Sequence, residues 1–238
     1  MRQFIFLFII YAAFISLGLP DSLLGVAWPE MAGDFQVAYS SAGIISMTVA
    51  VCTVISSLQT ARISRKIGTG RLILGSVLFT AIGLMGFAFT HNFLFLIVSA
   101  MPLGFGAGAI DTSLNDYVAA NLKAHHMNWL HAFWGVGATL GPVIMGVVLN
   151  NHFSWRNGYL IIGCIQLALV FVLFFSLPLW KQKQKKVLGE SEEGAAPVQA
   201  IWKRAGVIFS LVSFVVYVGL EGTIFLWGSS YLIEEKSL

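Results

Sequence analysis

Seven apolar runs lie along the chain at 4–26, 39–58, 72–89, 93–119, 129–149, 159–179 and 205–231, separated by polar segments. An α-helix needs about 20 mostly apolar residues to cross the hydrocarbon core of a bilayer. These runs are apolar on all sides and do not alternate, so they do not fit the roughly ten-residue strands of a membrane barrel. The pattern predicts seven membrane-spanning helices. The first run is too long for a cleaved signal peptide and no small-residue cleavage site follows it. One longer polar stretch sets six spans apart from the seventh. The expected architecture is all-α: a polytopic bundle of six transmembrane helices over 1–179, a linker over 180–204, and over 205–238 the first helix of a further block.

Composition agrees with this reading. Hydrophobic residues make up 57% of the 238 positions and charged residues 11%, and the mean hydropathy is +0.81. A soluble protein carries about a quarter charged residues. A net charge of +3 is too small to neutralise many phosphates, so no nucleic-acid partner is expected. Both cysteines, Cys52 and Cys164, fall inside apolar runs and do not form a disulfide scaffold. With the amino terminus placed in the cytoplasm, twelve of the 14 Lys and Arg fall on the inner side, leaving only Arg156 and Lys236 outside. The positive-inside rule therefore predicts a multi-pass protein of the plasma (inner) membrane with a cytoplasmic amino terminus. Trp28, Trp129, Trp155, Trp180 and Trp202 fall at span edges, where an indole keeps its N–H among the headgroups. The lysines of the linker, Lys181 to Lys186, read as topology signals that also contact anionic lipid.

Ionisable groups inside a span cost about 2.5–3.5 kcal/mol on insertion scales, so each asks for a reason. Asp21, Asp111, Asp116, Glu221 and His131 qualify, and no Lys or Arg lies within any predicted span. Asp111 and His131 fall at similar depth on consecutive antiparallel helices, and Asn115 shares the Asp111 face four residues on. This cluster reads either as the lining of a water-filled pathway or as a structural hydrogen bond between helices. Asp116, nearer the edge, reads as a headgroup-facing or capping residue. Asp21 follows Gly18-Leu-Pro20, a sequence able to interrupt the first helix; a carboxylate beside such a break suits a transport pathway, or else caps an outer turn. Glu221 lies between Tyr217 and Trp227, and Trp134 follows His131 by three residues. The two indoles offer flat apolar faces for the C–H surface of a sugar, or are plain core.

Gly137 and Gly141, like the glycines from Gly104 to Gly108, are spaced for close helix approach. They neither follow a strand nor open a helix in water, which rules out a nucleotide loop. His125 and His126 fall in the short loop before span five, and His91 and His152 in other loops. None has metal-ligand spacing, so no metal is expected. With no nucleophile–base arrangement in view, the chain does not read as an enzyme, and no cofactor is expected.

Three stretches carry a family resemblance: Gly18-Leu-Pro-Asp-Ser-Leu-Leu-Gly-Val-Ala-Trp-Pro29, Gly104-Phe-Gly-Ala-Gly-Ala-Ile-Asp-Thr-Ser-Leu-Asn115 and Asn128-Trp-Leu-His-Ala-Phe-Trp-Gly-Val-Gly-Ala-Thr-Leu-Gly-Pro142. With Tyr217-Val-Gly-Leu-Glu-Gly222, they resemble the amino-terminal half of a major facilitator superfamily transporter, in the fucose/glucose permease-like branch of sugar–proton symporters. The loop between spans two and three keeps the family pattern in part. Arg65 stands where that pattern has Asp, Lys66 where it has Arg, and Gly68 matches. The missing acid removes a charge contact to a neighbouring helix end at the cytoplasmic gate.

The resemblance implies alternating access, with protons driving uptake of a small sugar-like solute. Asp21 and Asp111 are its candidates for coupling and binding. It also implies a twelve-helix fold, so a chain of seven spans is expected to be a fragment or truncated product lacking its carboxy-terminal bundle. The alternatives are an exporter of apolar or cationic compounds and, remotely, a seven-helix receptor or sensor.

Overall fold

The computed structural model describes the backbone of residues 2–187 and 206–236, and the side chains of 4–180 and 206–232. It is helical throughout the described residues: α1 (Arg2–Gly18), α2 (Leu23–Phe35), α3 (Ala42–Ile67), α4 (Thr69–Phe89), α5 (Phe93–Asn121), α6 (His125–Asn150), α7 (Trp155–Val187) and α8 (Val207–Lys236), with a short 3-10 turn at Tyr39–Ser41. Seven of the resulting segments are long and apolar enough to cross a membrane, α1 and α2 together forming the first. The chain is a multi-pass membrane protein.

The helices outrun the apolar runs that predict them, because a helix stays helical after it leaves the hydrocarbon. The first span continues beyond position 26 to Phe35, where Trp28 and Met31 are fully buried. His125 and His126, expected in a loop, form the first turn of α6. α7, the sixth span, runs past the expected start of the linker to Val187; the rest of the linker, 188–204, lies outside the described residues.

The most extensive packing joins α4 to α5 and α7, α3 to α5, and α1 to α6. Span one thus lies on span five, span two on span four and span three on span six. Exchanging the first three spans with the second three maps these pairs onto themselves. Apolar side chains fill the bundle in two clusters. One joins Phe6 to Phe14 of α1 with Ile110, Leu114, Leu173 and Trp180 near the amino-terminal end. The other gathers Leu23, Trp28, Phe87, Trp155 and Tyr159 toward the opposite end.

Three of the tryptophans read as headgroup anchors turn inward instead. Trp28 donates its indole N–H to the Tyr39 carbonyl at 2.7 Å, Trp155 to Asp34 at 2.9 Å and Trp180 to Ser176 at 3.3 Å. Protein acceptors satisfy these N–H groups, so the rings are buried whole. Trp129 is exposed, and Trp202 lies outside the described residues.

Candidate functional site

The break in the first span is where the site begins. Residues 19–22 leave the helix, between α1 and α2. Asp21 emerges from this turn and accepts the indole N–H of Trp134, on α6, at 2.7 Å. A charge-assisted bond of this kind fixes both partners. It becomes feasible because α6 meets the first span at close range. A side chain at Gly137 would run into the Ile15 carbonyl, and one at Gly141 into the Leu19 carbonyl. With α6 seated there, Trp134, one helical turn before Ala138, stands beside the break.

Asp21 and Trp134 line a cavity of about 290 Å³ to which all seven spans contribute. Ile45 and Val49 come from α3, Phe87 from α4, Leu103 from α5 and Tyr159 from α7. On the remaining side stand Glu221 and Phe225 of α8. The Phe225 ring lies 6.4 Å from that of Trp134, and Glu221 accepts the Tyr217 hydroxyl at 3.0 Å. α8 approaches through Gly25 of α2, where any side chain would meet the Phe225 carbonyl. Among the described residues the cavity wall is mostly aromatic and aliphatic, its two ionisable carboxyls are Asp21 and Glu221, and no Lys or Arg lines it.

The second group of candidates stands apart from this lining. Asn115 donates to the Asp111 carboxylate at 2.9 Å and to the Asp111 carbonyl at 3.0 Å, the pairing expected four residues apart on one helix. His131 lies within electrostatic reach of Asp111, and its ring meets Phe14 edge-on at 6.0 Å. Asp111 in turn acts on Asp21, as does Glu221, so three carboxyls share one electrostatic neighbourhood. Asp111 and His131 are both exposed. Trp227 packs against the cluster of Trp28 and Trp155 and is not part of the cavity lining. Arg65, Lys66 and Gly68 sit at the α3–α4 turn, where Gly68 takes the positive φ of +88° that glycine tolerates.

One cavity residue carries no signal in the sequence beyond its place at a span start. Tyr159 is buried, and its hydroxyl has no hydrogen-bond partner among the described residues. A buried, unpaired hydroxyl beside a cavity is a donor and acceptor held ready. Only the assembled bundle brings it to the same cavity as Asp21, 138 positions earlier.

Residues 8–238 match the family model of the Major Facilitator Superfamily. The chain belongs to that superfamily. Among members of known activity, it is similar to the riboflavin transporter RibZ of Clostridioides difficile, with 27% identity over 191 residues, covering 77% of this chain and 41% of that protein. It is also 30% identical over 102 residues to the glucose/mannose transporter GlcP of Bacillus subtilis, covering 42% of this chain and 24% of GlcP. The inward-open xylose transporter XylE from E. coli has the same fold, with a TM-score of 0.70 at 14% identity, over 96% of this chain and 64% of that one. The chain therefore spans less than half the length of these two curated relatives.

Proposed function

We propose that the chain supplies one wall of the pathway in a proton-coupled transporter that takes up a sugar or similarly small, hydroxyl-bearing solute, within the fucose/glucose permease-like branch. In this reading 1–179 is the amino-terminal bundle, 180–204 the cytoplasmic linker and 205–238 the first helix of a second bundle. The amino terminus faces the cytoplasm across the inner membrane.

The Asp21–Trp134 pair at the cavity carries the reading. A carboxylate oxygen binds sugar hydroxyls, an indole face takes the C–H surface of the ring, and Tyr159 adds an unpaired hydroxyl. Among the described residues no cation lines the cavity. A carboxyl there loses its charge by taking up a proton, which links occupancy to protonation. Asp111, backed by Asn115 and facing His131, is the second carboxyl suited to that exchange.

The test uses the protein carrying both bundles, reconstituted in liposomes with an imposed pH gradient. The expected result is accumulation of a neutral sugar that Asp111→Asn abolishes, leaving only equilibration. Unchanged accumulation in that variant removes Asp111 from coupling. The acid-lined, largely apolar cavity also suits a second reading, export of apolar or cationic compounds. Proton-driven extrusion of a lipophilic cation with no sugar uptake would decide for it.

A further inference from the structure

Away from the pathway, the α3–α4 turn forms a second recess. Arg65 and Lys66 of the last α3 turn and Arg71 of the first α4 turn line a cleft of about 390 Å³. Leu177, Pro178 and Trp180 of α7 form its other wall. Among the described residues no acid lines it, and the ion pair found there joins Asp34 and Arg156 instead. Arg65, standing where the family pattern has Asp, is what makes the cleft wholly basic. Its floor is firm. Trp180 is buried, edge-on to Phe6 at 4.7 Å and to Tyr117 at 5.2 Å, and Gly70 brings the α4 backbone against the indole.

Depth identifies the occupant. Ile67 and Thr69 are the adjoining ends of two membrane-length segments, and the apolar run of the sixth span closes at 179, beside Trp180. The cleft therefore opens where hydrocarbon gives way to headgroups, with cations above and an apolar wall beneath. Guanidinium groups match phosphate oxygens in a two-pronged contact, and the first N–H groups of α4 have no carbonyl partner within their own helix. An anion entering the recess is attracted by all three cations at once.

We propose that this cleft binds the phosphate of an anionic membrane lipid, held by Arg65, Lys66 and Arg71, with the start of its acyl chains against Leu177, Pro178 and Trp180. The site is independent of what the pathway carries. The lipid phosphate offsets part of the charge at the turn and ties the ends of α3 and α4 to α7.

Native mass spectrometry of the purified chain tests this, after equilibration with mixed phosphatidylglycerol and phosphatidylcholine. The expected result is enrichment of phosphatidylglycerol, falling on the order of 10-fold in Arg65→Gln/Arg71→Gln. Arg62→Gln/Lys123→Gln removes the same charge at the same end but outside the cleft and should leave enrichment nearly unchanged. Equal losses in both pairs would mean diffuse attraction and overturn the site, as would no loss in either. Arg65→Lys/Arg71→Lys preserves the charge and guards against a folding defect; it should retain part of the enrichment, and full loss alongside normal helicity would also count against the site. Inorganic phosphate supplies the last arm. If it raises the melting temperature in phosphatidylcholine as much as phosphatidylglycerol does, the ligand is the free anion and the lipid assignment falls.

Discussion

Two helix crossings hold the bundle together, and they are built alike. In one, Gly104 and Gly108 of α5 bring that helix onto the Val49 and Thr53 carbonyls of α3. In the other, Gly137 and Gly141 of α6 lie on the Ile15 and Leu19 carbonyls of the first span. Each has glycines four residues apart facing carbonyls four residues apart, and the pairs exchange under the internal symmetry of the bundle. What differs is the continuity of the partner helix. α3 runs unbroken, and its hydroxyls close the seam: Thr53 donates to Gly104 at 3.1 Å, Ser56 to Phe105 at 2.6 Å and Ser57 to Gly108 at 3.2 Å. The first span breaks at the corresponding place. Gln166 of α7 donates to the Ser16 carbonyl at 2.5 Å, Ser22 to Ala138 at 3.4 Å, and Asp21 turns out toward Trp134. The same crossing is a structural seam in one repeat and the seat of a charged group in the other.

The largest test of this comparison is steric. Gly137→Leu and Gly108→Leu each drive a side chain into backbone that cannot move aside, and each should cost about 3 kcal/mol or more. The expected outcome is a large fall in the melting temperature of the purified chain, or loss of folded protein. Gly135→Ala and Gly146→Ala, where a Cβ meets open space, serve as controls and should melt within a degree or two of the parent.

A smaller effect separates the two seams. Trp134→Phe removes the donor to Asp21 and should cost about 1.5 kcal/mol, the low end for hydrogen bonds to a charged group. In a double-mutant cycle with Asp21→Ala, which removes the acceptor, the two losses should be non-additive by about 1 kcal/mol. Additive losses would show that the pair does not hold the break.

Smallest is the seam itself. Hydrogen bonds between membrane helices average about 0.6 kcal/mol. Ser56→Ala should destabilise α3 against α5 by roughly that amount, without altering solute binding. A loss of binding in that variant would give the hydroxyl seam a functional share and narrow the difference between the crossings.

The sequence makes one half of this comparison legible and hides the other. Gly137 and Gly141 announce close packing by spacing alone, Gly18-Leu-Pro20 announces the break, and Asn115 pairs with Asp111 as four-residue spacing requires. These are local signals. The Asp21–Trp134 bond joins residues 113 positions apart, and Tyr159 comes to the cavity from a sixth span whose pattern shows only burial. The indoles at span edges mislead for a related reason. Trp28 and Trp155 have acceptors supplied by other segments, so their sequence position gives depth and says nothing of direction.

The contact between Gly25 and Phe225 also has a mechanical meaning. It seats α8 on α2 at a point of backbone-to-backbone touch, about 27 Å along the helix from Val207 at 1.5 Å per residue. A pivot so far from the helix start works as a lever. Tilting α8 by roughly 10° about that point would swing its first turn through about 5 Å while the wall at Glu221, close to the fulcrum, shifts by about 1 Å.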